Sequence, residues 1–184
     1  MSTKKTRYVL HLHNAHRAGR HFDFRIKYLD QKKLISFAIP KEKLPYNPGE
    51  QALAIQTPDH SVGWLYREKL RIPRGEYGGG FIKRLQYGNC NIIHWTDTFL
   101  RFTLDEGPFL RGEYFMFLTK YKKKTKQKNP IWILKKPMAE GEERNDMKKF
   151  APADMNINSN EKNRISDFID DYENNKIYPT YQLE

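Results

Sequence analysis

The chain has 184 residues, with 33 Lys and Arg against 22 Asp and Glu, giving a net charge of +11. A single cysteine, Cys90, excludes an internal disulfide and a cysteine-based zinc site, so any bound metal must be held by histidine and carboxylate. No apolar run reaches the roughly 20 residues that cross a bilayer, and the basic stretch Met1 to Arg7 lacks the apolar segment of a secretion signal, which fits an intracellular, cytoplasmic protein with no membrane partner.

At 38% hydrophobic and 30% charged residues the composition is globular but lean, and 11 Tyr, 11 Phe and 3 Trp compensate with large buried areas. The charge is unevenly placed. Residues 139–184 hold 11 acidic and 6 basic side chains, net −5, so residues 1–138 carry +16. A body this basic points to a polyanionic partner, most simply nucleic acid. An anionic membrane surface would also accept it, but the chain has no lipid-anchoring motif.

In chain order, the pattern predicts many short strands. Tyr8 to His13 alternates, with Tyr8, Leu10 and Leu12 on one face and Val9, His11 and His13 on the other. His21 to Tyr28 alternates in the same way. Leu34 to Ile39, stopped by Pro40, and Leu53 to Gln56 follow. Gly78-Gly79-Gly80 leads into Phe81-Ile82, and a turn at Tyr87-Gly88-Asn89 precedes Asn91 to Trp95. Phe99 to Leu104, Gly112 to Leu118 and Ile131 to Leu134 complete the set. Strands at this spacing predict an all-β barrel or sandwich.

Between the last two strands, Lys120 to Pro130 reads as an exposed basic hairpin loop with six lysines. The chain divides near residue 138: residues 1–138 form a β domain, and residues 139–184 an acidic linker and tail. In that tail Ile165, Phe168, Ile169 and Tyr172 fall at i, i+3, i+4 and i+7, an amphipathic helix ended by Pro179.

The chemistry concentrates in His21-Phe22-Asp23-Phe24-Arg25-Ile26. In a strand, His21, Asp23 and Arg25 share one face and the apolar residues anchor the other. Neutral His and Asp suit a divalent cation, and Arg pairs with phosphate oxygens; a solvated polar face is the plainer alternative. If the first two strands pair antiparallel, His13, His21 and Asp23 can meet at one ion, with Asn14 to Arg20 as the hairpin loop and Gly19 its turn residue. Two imidazoles and a carboxylate leave coordination positions open for water or substrate. His16 sits in the presumed loop and reads as a surface residue. Gly75 to Gly80 lacks the Gly-Lys-Ser/Thr of a phosphate-binding P-loop and reads instead as a tight turn, with Tyr77 packed and Glu76 bonding locally. Trp64 and Tyr66 either stack on a nucleobase or pack in the core.

From residue 8 to about 136 the chain resembles the 3′-phosphoesterase domain of bacterial DNA ligase D and its stand-alone relatives. The resemblance rests on His13 with His21-Phe22-Asp23-Phe24-Arg25, on Phe37-Ala38-Ile39-Pro40-Lys41, on Pro58-Asp59-His60-Ser61, on Ile72-Pro73-Arg74-Gly75-Glu76-Tyr77-Gly78-Gly79-Gly80, and on Leu110-Arg111-Gly112 with Trp132-Ile133-Leu134-Lys135, all in order. It implies a small, closed or nearly closed β-barrel of about eight strands with short flanking helices and the C-terminal helical tail. It also implies a site using manganese or another divalent cation, at which a 3′-terminal ribonucleoside and then the remaining 3′-phosphate are removed. By the match His13, His21 and Asp23 hold the metal, Arg25 and His60 contact the reacting phosphate, and His11 stands where the family usually has Gln, also pointing into the site. Trp64 and the loop lysines Lys122, Lys123 and Lys124 would contact substrate. The implied partners are nucleic-acid 3′ ends, in a primer–template or nicked duplex, and a DNA ligase.

The chain departs from the family pattern in four places. Seven residues separate His13 from His21 where five are usual, which makes His16 an alternative ligand. Pro58 replaces a Glu, Trp64 a Tyr, and Ala52 an Arg. Losses in the polar surround of a metal site commonly cost ~10–100-fold, so a catalytically weakened barrel that grips nucleic acid and recruits a ligase competes with the enzyme. A third reading, a non-haem iron oxygenase, would join His21 and Asp23 to distal His94.

Overall fold

The computed structural model describes residues 2–40, 44–105, 107–119 and 129–138. Nine strands follow one another: β1 (Lys4–Ala15), β2 (Gly19–Lys27), β3 (Lys33–Pro40), β4 (Gln51–Ser61), β5 (Lys69–Ile72), β6 (Gly80–Trp95), β7 (Phe99–Leu104), β8 (Gly112–Leu118) and β9 (Ile131–Lys135). All pairings are antiparallel, in the order β1-β2-β3-β4-β9-β8-β7-β6, and β6 returns to pair with β1. Eight strands thus close a ring, and β5 pairs with the first residues of β6. The fold is all-β, as the strand spacing predicts, and of barrel and sandwich it is the closed barrel that the resemblance implies. In place of short flanking helices, the described residues hold one 3-10 turn, Val62–Leu65. The amphipathic helix at Ile165 to Tyr172 and the basic loop with Lys122, Lys123 and Lys124 lie outside the described residues.

Strand alternation decides what lies inside. Tyr8, Leu10 and Leu12 of β1 and Phe22, Phe24 and Ile26 of β2 join Phe37, Phe102, Tyr114, Met116 and Trp132 in the main core. Burying such side chains is the dominant favourable term in folding. Every second residue of β1 and β2 therefore points the other way, onto the outer wall. There the chain segment after β4 folds back over the barrel. Leu65 packs on Val9 and Leu34, and Leu70 and Ile72 pack with Ile82, with Trp64 touching both groups. This cover turns an outer sheet face into a second, largely buried layer.

Three local readings need correction. The first hairpin turn is shorter than the expected Asn14 to Arg20: Asn14 pairs with Arg20 and Ala15 with Gly19, leaving His16, Arg17 and Ala18 as the turn. Tyr87-Gly88-Asn89 is no turn but the middle of β6. Pairing with β1 along its whole length, from Lys4↔Ile92 to Ala15↔Gly80, overrides the local turn composition. Gly88 faces Tyr8, whose ring lies 3.6 Å from where a Cβ would sit. Tyr77 is not packed; it is 79% exposed.

β5 is an addition to the strands that the sequence predicts; Lys69-Leu70-Arg71-Ile72 alternates between exposed and buried. Its ladder begins at Gly80, where the backbone has φ +140° and an added Cβ would lie 2.2 Å from the carbonyl oxygen of Asn14. Only glycine allows β6 to approach β1 that closely.

Candidate metal and phosphate site

The register of β1 and β2 builds the site. His13 lies opposite His21, His11 opposite Asp23, and Val9 opposite Arg25. Directly opposed residues share a face with their Cβ atoms about 4.5–5.5 Å apart, so two strands suffice to gather three histidines, a carboxylate and a guanidinium. β3 adds Ser36 opposite Arg25, and β4 adds Thr57 opposite Ser36. The end of β4 brings His60. The covering segment supplies Trp64, Ile72, Tyr77 and Gly78, closing a cleft of about 1050 Å³ over the cluster.

Asp23 is the centre of one half. Its Oδ2 lies 3.1 Å from His13 Nδ1 and its Oδ1 3.1 Å from His21 Nε2. The outer nitrogen of each ring is committed elsewhere. His13 Nε2 donates to the carbonyl oxygen of Gly78 at 2.8 Å, and His21 Nδ1 to that of Gly19 at 3.3 Å. A carbonyl can only accept, so those nitrogens carry the protons, and in the neutral rings His13 Nδ1 and His21 Nε2 present lone pairs toward the carboxylate. Lone pairs facing lone pairs require a cation, either a proton or a metal. Burial opposes charge on both Asp23 and His21, but their environment overrides it. Arg25 and the two histidine contacts hold Asp23 well below the usual carboxylate range. The hydrogen bond and charge of Asp23 raise His21. One ligand atom from each of His13, His21 and Asp23 lies within 4.8 Å of the others. Backbone carbonyls that fix histidine tautomers are the usual support of metal-bound imidazole. The donor set therefore fits a divalent ion.

Arg25 is the centre of the other half. It is almost fully buried, with Nε donating to Ser36 Oγ at 3.1 Å and Nη2 3.5 Å from Asp23 Oδ2. Thr57 supports Ser36 by donating to its Oγ at 2.8 Å. Two histidines face the guanidinium with their acceptor nitrogens: His11 Nδ1 at 3.3 Å from Nη1 and His60 Nε2 at 3.4 Å from Nη2. Again the remaining nitrogens are pinned to carbonyls, His11 Nε2 to Arg67 at 2.8 Å and His60 Nδ1 to Pro58 at 2.8 Å. Burial and the neighbouring Arg25 push His11 down to about 3 and His60 down to about 4, so both rings are neutral near pH 7. Trp64 lies 4.8 Å from both the Arg25 and the Arg67 guanidinium carbons, with His60 edge-on at 5.2 Å.

The structure thus brings together His11, His13, His21, Asp23, Arg25, His60 and Trp64. His16 lines the same cleft, half-buried and edge-on to Phe81 rather than simply on the surface, and lies outside the His13, His21 and Asp23 group. His94 stands exposed beside Phe99 near the far end of β6, which removes the oxygenase triad. Residues missed from the sequence are Ser36, Thr57 and the carbonyls of Gly78 and Arg67. The polar interruptions Ser36 and Thr57 in apolar strands were a usable signal. The carbonyl roles were not, because any residue type has a carbonyl.

Among the described residues no helix is long and apolar enough to cross a membrane. Over 74 residues, 40% of this chain, the sequence is 39% identical to the multifunctional non-homologous end joining protein LigD of Mycolicibacterium smegmatis, a match that spans 9% of that protein's length. Residues 11–127 match the DNA ligase D 3′-phosphoesterase domain, a span that opens on His11 and contains the whole cluster built on Asp23 and Arg25. By that match the chain belongs to the DNA ligase D 3′-phosphoesterase domain family.

Proposed function

We propose that this chain is a metal-dependent phosphoesterase that heals nucleic-acid 3′ ends, removing a 3′-phosphate, a 3′-terminal ribonucleoside, or both, to leave a ligatable 3′-OH. The observation that carries the reading is the pairing of His13 and His21 on Asp23, each ring locked by a backbone carbonyl into the tautomer a metal requires. In this reading His13, His21 and Asp23 hold one divalent ion, manganese by the family resemblance. Such an ion polarises a phosphoryl oxygen and lowers the pKa of bound water.

The chain's own residues do the rest. Arg25 stabilises charge on the phosphate oxygens with donors that Ser36, His11 and Trp64 hold in place. His60 meets the incoming phosphate as a neutral ring. When a 3′-phosphate is bound, its dianion favours uptake of a solvent proton at His60 Nε2, and the imidazolium then has a proton to give the leaving 3′-oxygen. The lysines Lys122, Lys123 and Lys124 would follow duplex phosphates, giving affinity without sequence preference. The family's description, a DNA ligase D domain, and the relative's name, an end joining protein, together support work on DNA ends beside a ligase.

A weakened barrel that only grips nucleic acid is the second reading. It draws on Arg25, whose Nε and both Nη groups already face protein acceptors, and on Trp64 over its face. The test is incubation of 5′-labelled primer–templates ending in a 3′-phosphate or a single ribonucleotide, with manganese or with excess chelator. Metal-dependent conversion to 3′-OH is expected. Binding without conversion would favour the second reading.

A further inference from the structure

Among the described residues, Tyr77 is the one large exposed apolar side chain that lines the cleft. Leu29, Tyr66 and Tyr87 do not line it, and the Tyr87 ring is already covered by Arg84 at 3.8 Å. Its ring is 79% exposed, so its face is open to a planar partner inside the cleft.

The placement of Tyr77 is built rather than accidental. The turn that carries it is closed by Glu76 N to Pro73 O at 3.2 Å and Gly79 N to Glu76 O at 3.0 Å, and is tied to the first hairpin by His16 N to Gly79 O at 2.9 Å. The next residue, Gly78, holds His13. The ring therefore stands one residue from the support of the metal group, on backbone that cannot swing away without disturbing it. Arg17, Arg20 and Arg74 line the same cleft, and Ile55, Ala38 and Ile72 give it apolar surface. A planar, uncharged group attached to a phosphate matches this combination: the phosphate goes to the cluster, the plane to the ring, and the arginines meet the next phosphates along the strand.

We infer that Tyr77 forms a nucleobase subsite, stacking on the base of the 3′-terminal nucleoside and holding it unpaired at the lip of the cleft. The inference rests on the phosphoesterase reading and narrows its substrate to frayed or single-stranded 3′ ends. Stacking on an aromatic ring is tolerant of sequence, since every base has a π-face, so the subsite recognises the presence of a base rather than its identity.

The test uses two 5′-labelled oligonucleotides that differ only at the end, one with a terminal thymidine 3′-phosphate and one with an abasic deoxyribose 3′-phosphate, and compares Tyr77→Ala and Tyr77→Phe with the parent protein in manganese. Tyr77→Ala should lower kcat/KM about tenfold on the base-bearing end, mainly through KM, and leave the abasic end unchanged. Tyr77→Phe should behave as the parent on both. Equal losses on both ends would overturn the subsite, because Tyr77 would then only shape the turn. A Phe variant as damaged as Ala would also overturn it, by assigning the role to the hydroxyl. If the parent protein turns over neither oligonucleotide but converts the 3′-phosphate of a primer–template, the subsite is overturned while the phosphoesterase reading stands; if it converts none of the three, both fall.

Discussion

His13 Nε2 donates to the carbonyl oxygen of Gly78 across 2.8 Å, joining β1 to a turn 65 residues later. The bond decides which nitrogen of His13 is left to face Asp23. It also makes a glycine with no side chain part of the candidate metal group. Gly78 has φ +75°, and an added Cβ would sit 3.7 Å from His13 Cε1. Gly78→Ala should cost about 1–2 kcal/mol of stability, because L-residues resist that conformation, and weaken manganese binding about tenfold by shifting the carbonyl. Gly75 supplies the control. It has φ +94° with nothing within 4 Å of an added Cβ, so Gly75→Ala should lose stability but keep metal affinity. Denaturant melts and calorimetric titration of both variants decide it; equal metal affinities would remove Gly78 from the site.

Asp23→Asn keeps the shape of the carboxylate and removes its charge. Manganese binding by calorimetry should vanish, turnover of 3′-phosphate ends should vanish with it, and far-UV circular dichroism should stay unchanged. The raised pKa of His21 depends on the same charge. In the metal-free variant the His21 ring resonances should therefore titrate at lower pH than in the parent. An unshifted titration would mean that Asp23 does not govern the pair.

Arg25→Lys retains a positive charge but cannot reach Ser36, His11 and His60 at once. Initial rates on 3′-phosphate ends should fall about 100-fold or more, the scale of losing one positioned donor to a developing oxyanion. A near-normal rate would show that charge alone suffices and that the fork has no special part.

The neutral state of buried His11 ties stability to pH. Its pKa is about 3 in the folded protein, against 6.5 for a free histidine. The unfolded chain therefore binds the extra proton between those values. The stabilisation is complete above pH 6.5 and declines as pH falls toward 3, by about 1.4 kcal/mol per pH unit. Gln can donate to the Arg67 carbonyl and accept from Arg25 without titrating. In excess chelator, the unfolding free energy of His11→Gln should thus fall less steeply between pH 6 and 4.5 than that of the parent, by about that slope. Parallel curves would contradict a neutral, buried His11.

Much of this site is legible in the amino-acid sequence. Alternation placed His21, Asp23 and Arg25 on one face, and antiparallel pairing of the first two strands brought in His13, because strand period and register are local properties. The all-β class was legible for the same reason. What failed was decided over longer distances. Tyr87-Gly88-Asn89 has turn composition but is held straight by β1. β5 spans only four residues, too few to stand out. Tyr77 looked like core because aromatic residues usually are, and nothing in its neighbours reveals that its turn projects into a cleft.

Because β1 and β2 carry the core on one face and the site on the other, the reactive residues also guard the fold. Sliding β2 by one position would turn Asp23 and Arg25 into the barrel interior and leave Phe22 and Phe24 on the outer wall. Burying an ion pair in a space shaped for aromatic rings costs several kcal/mol per charge. The slipped pairing is thus excluded by the same side chains that serve the cleft. Substitutions that neutralise Asp23 and Arg25 together would relax this constraint. They should yield a chain that still closes a barrel but folds to it with less certainty of register.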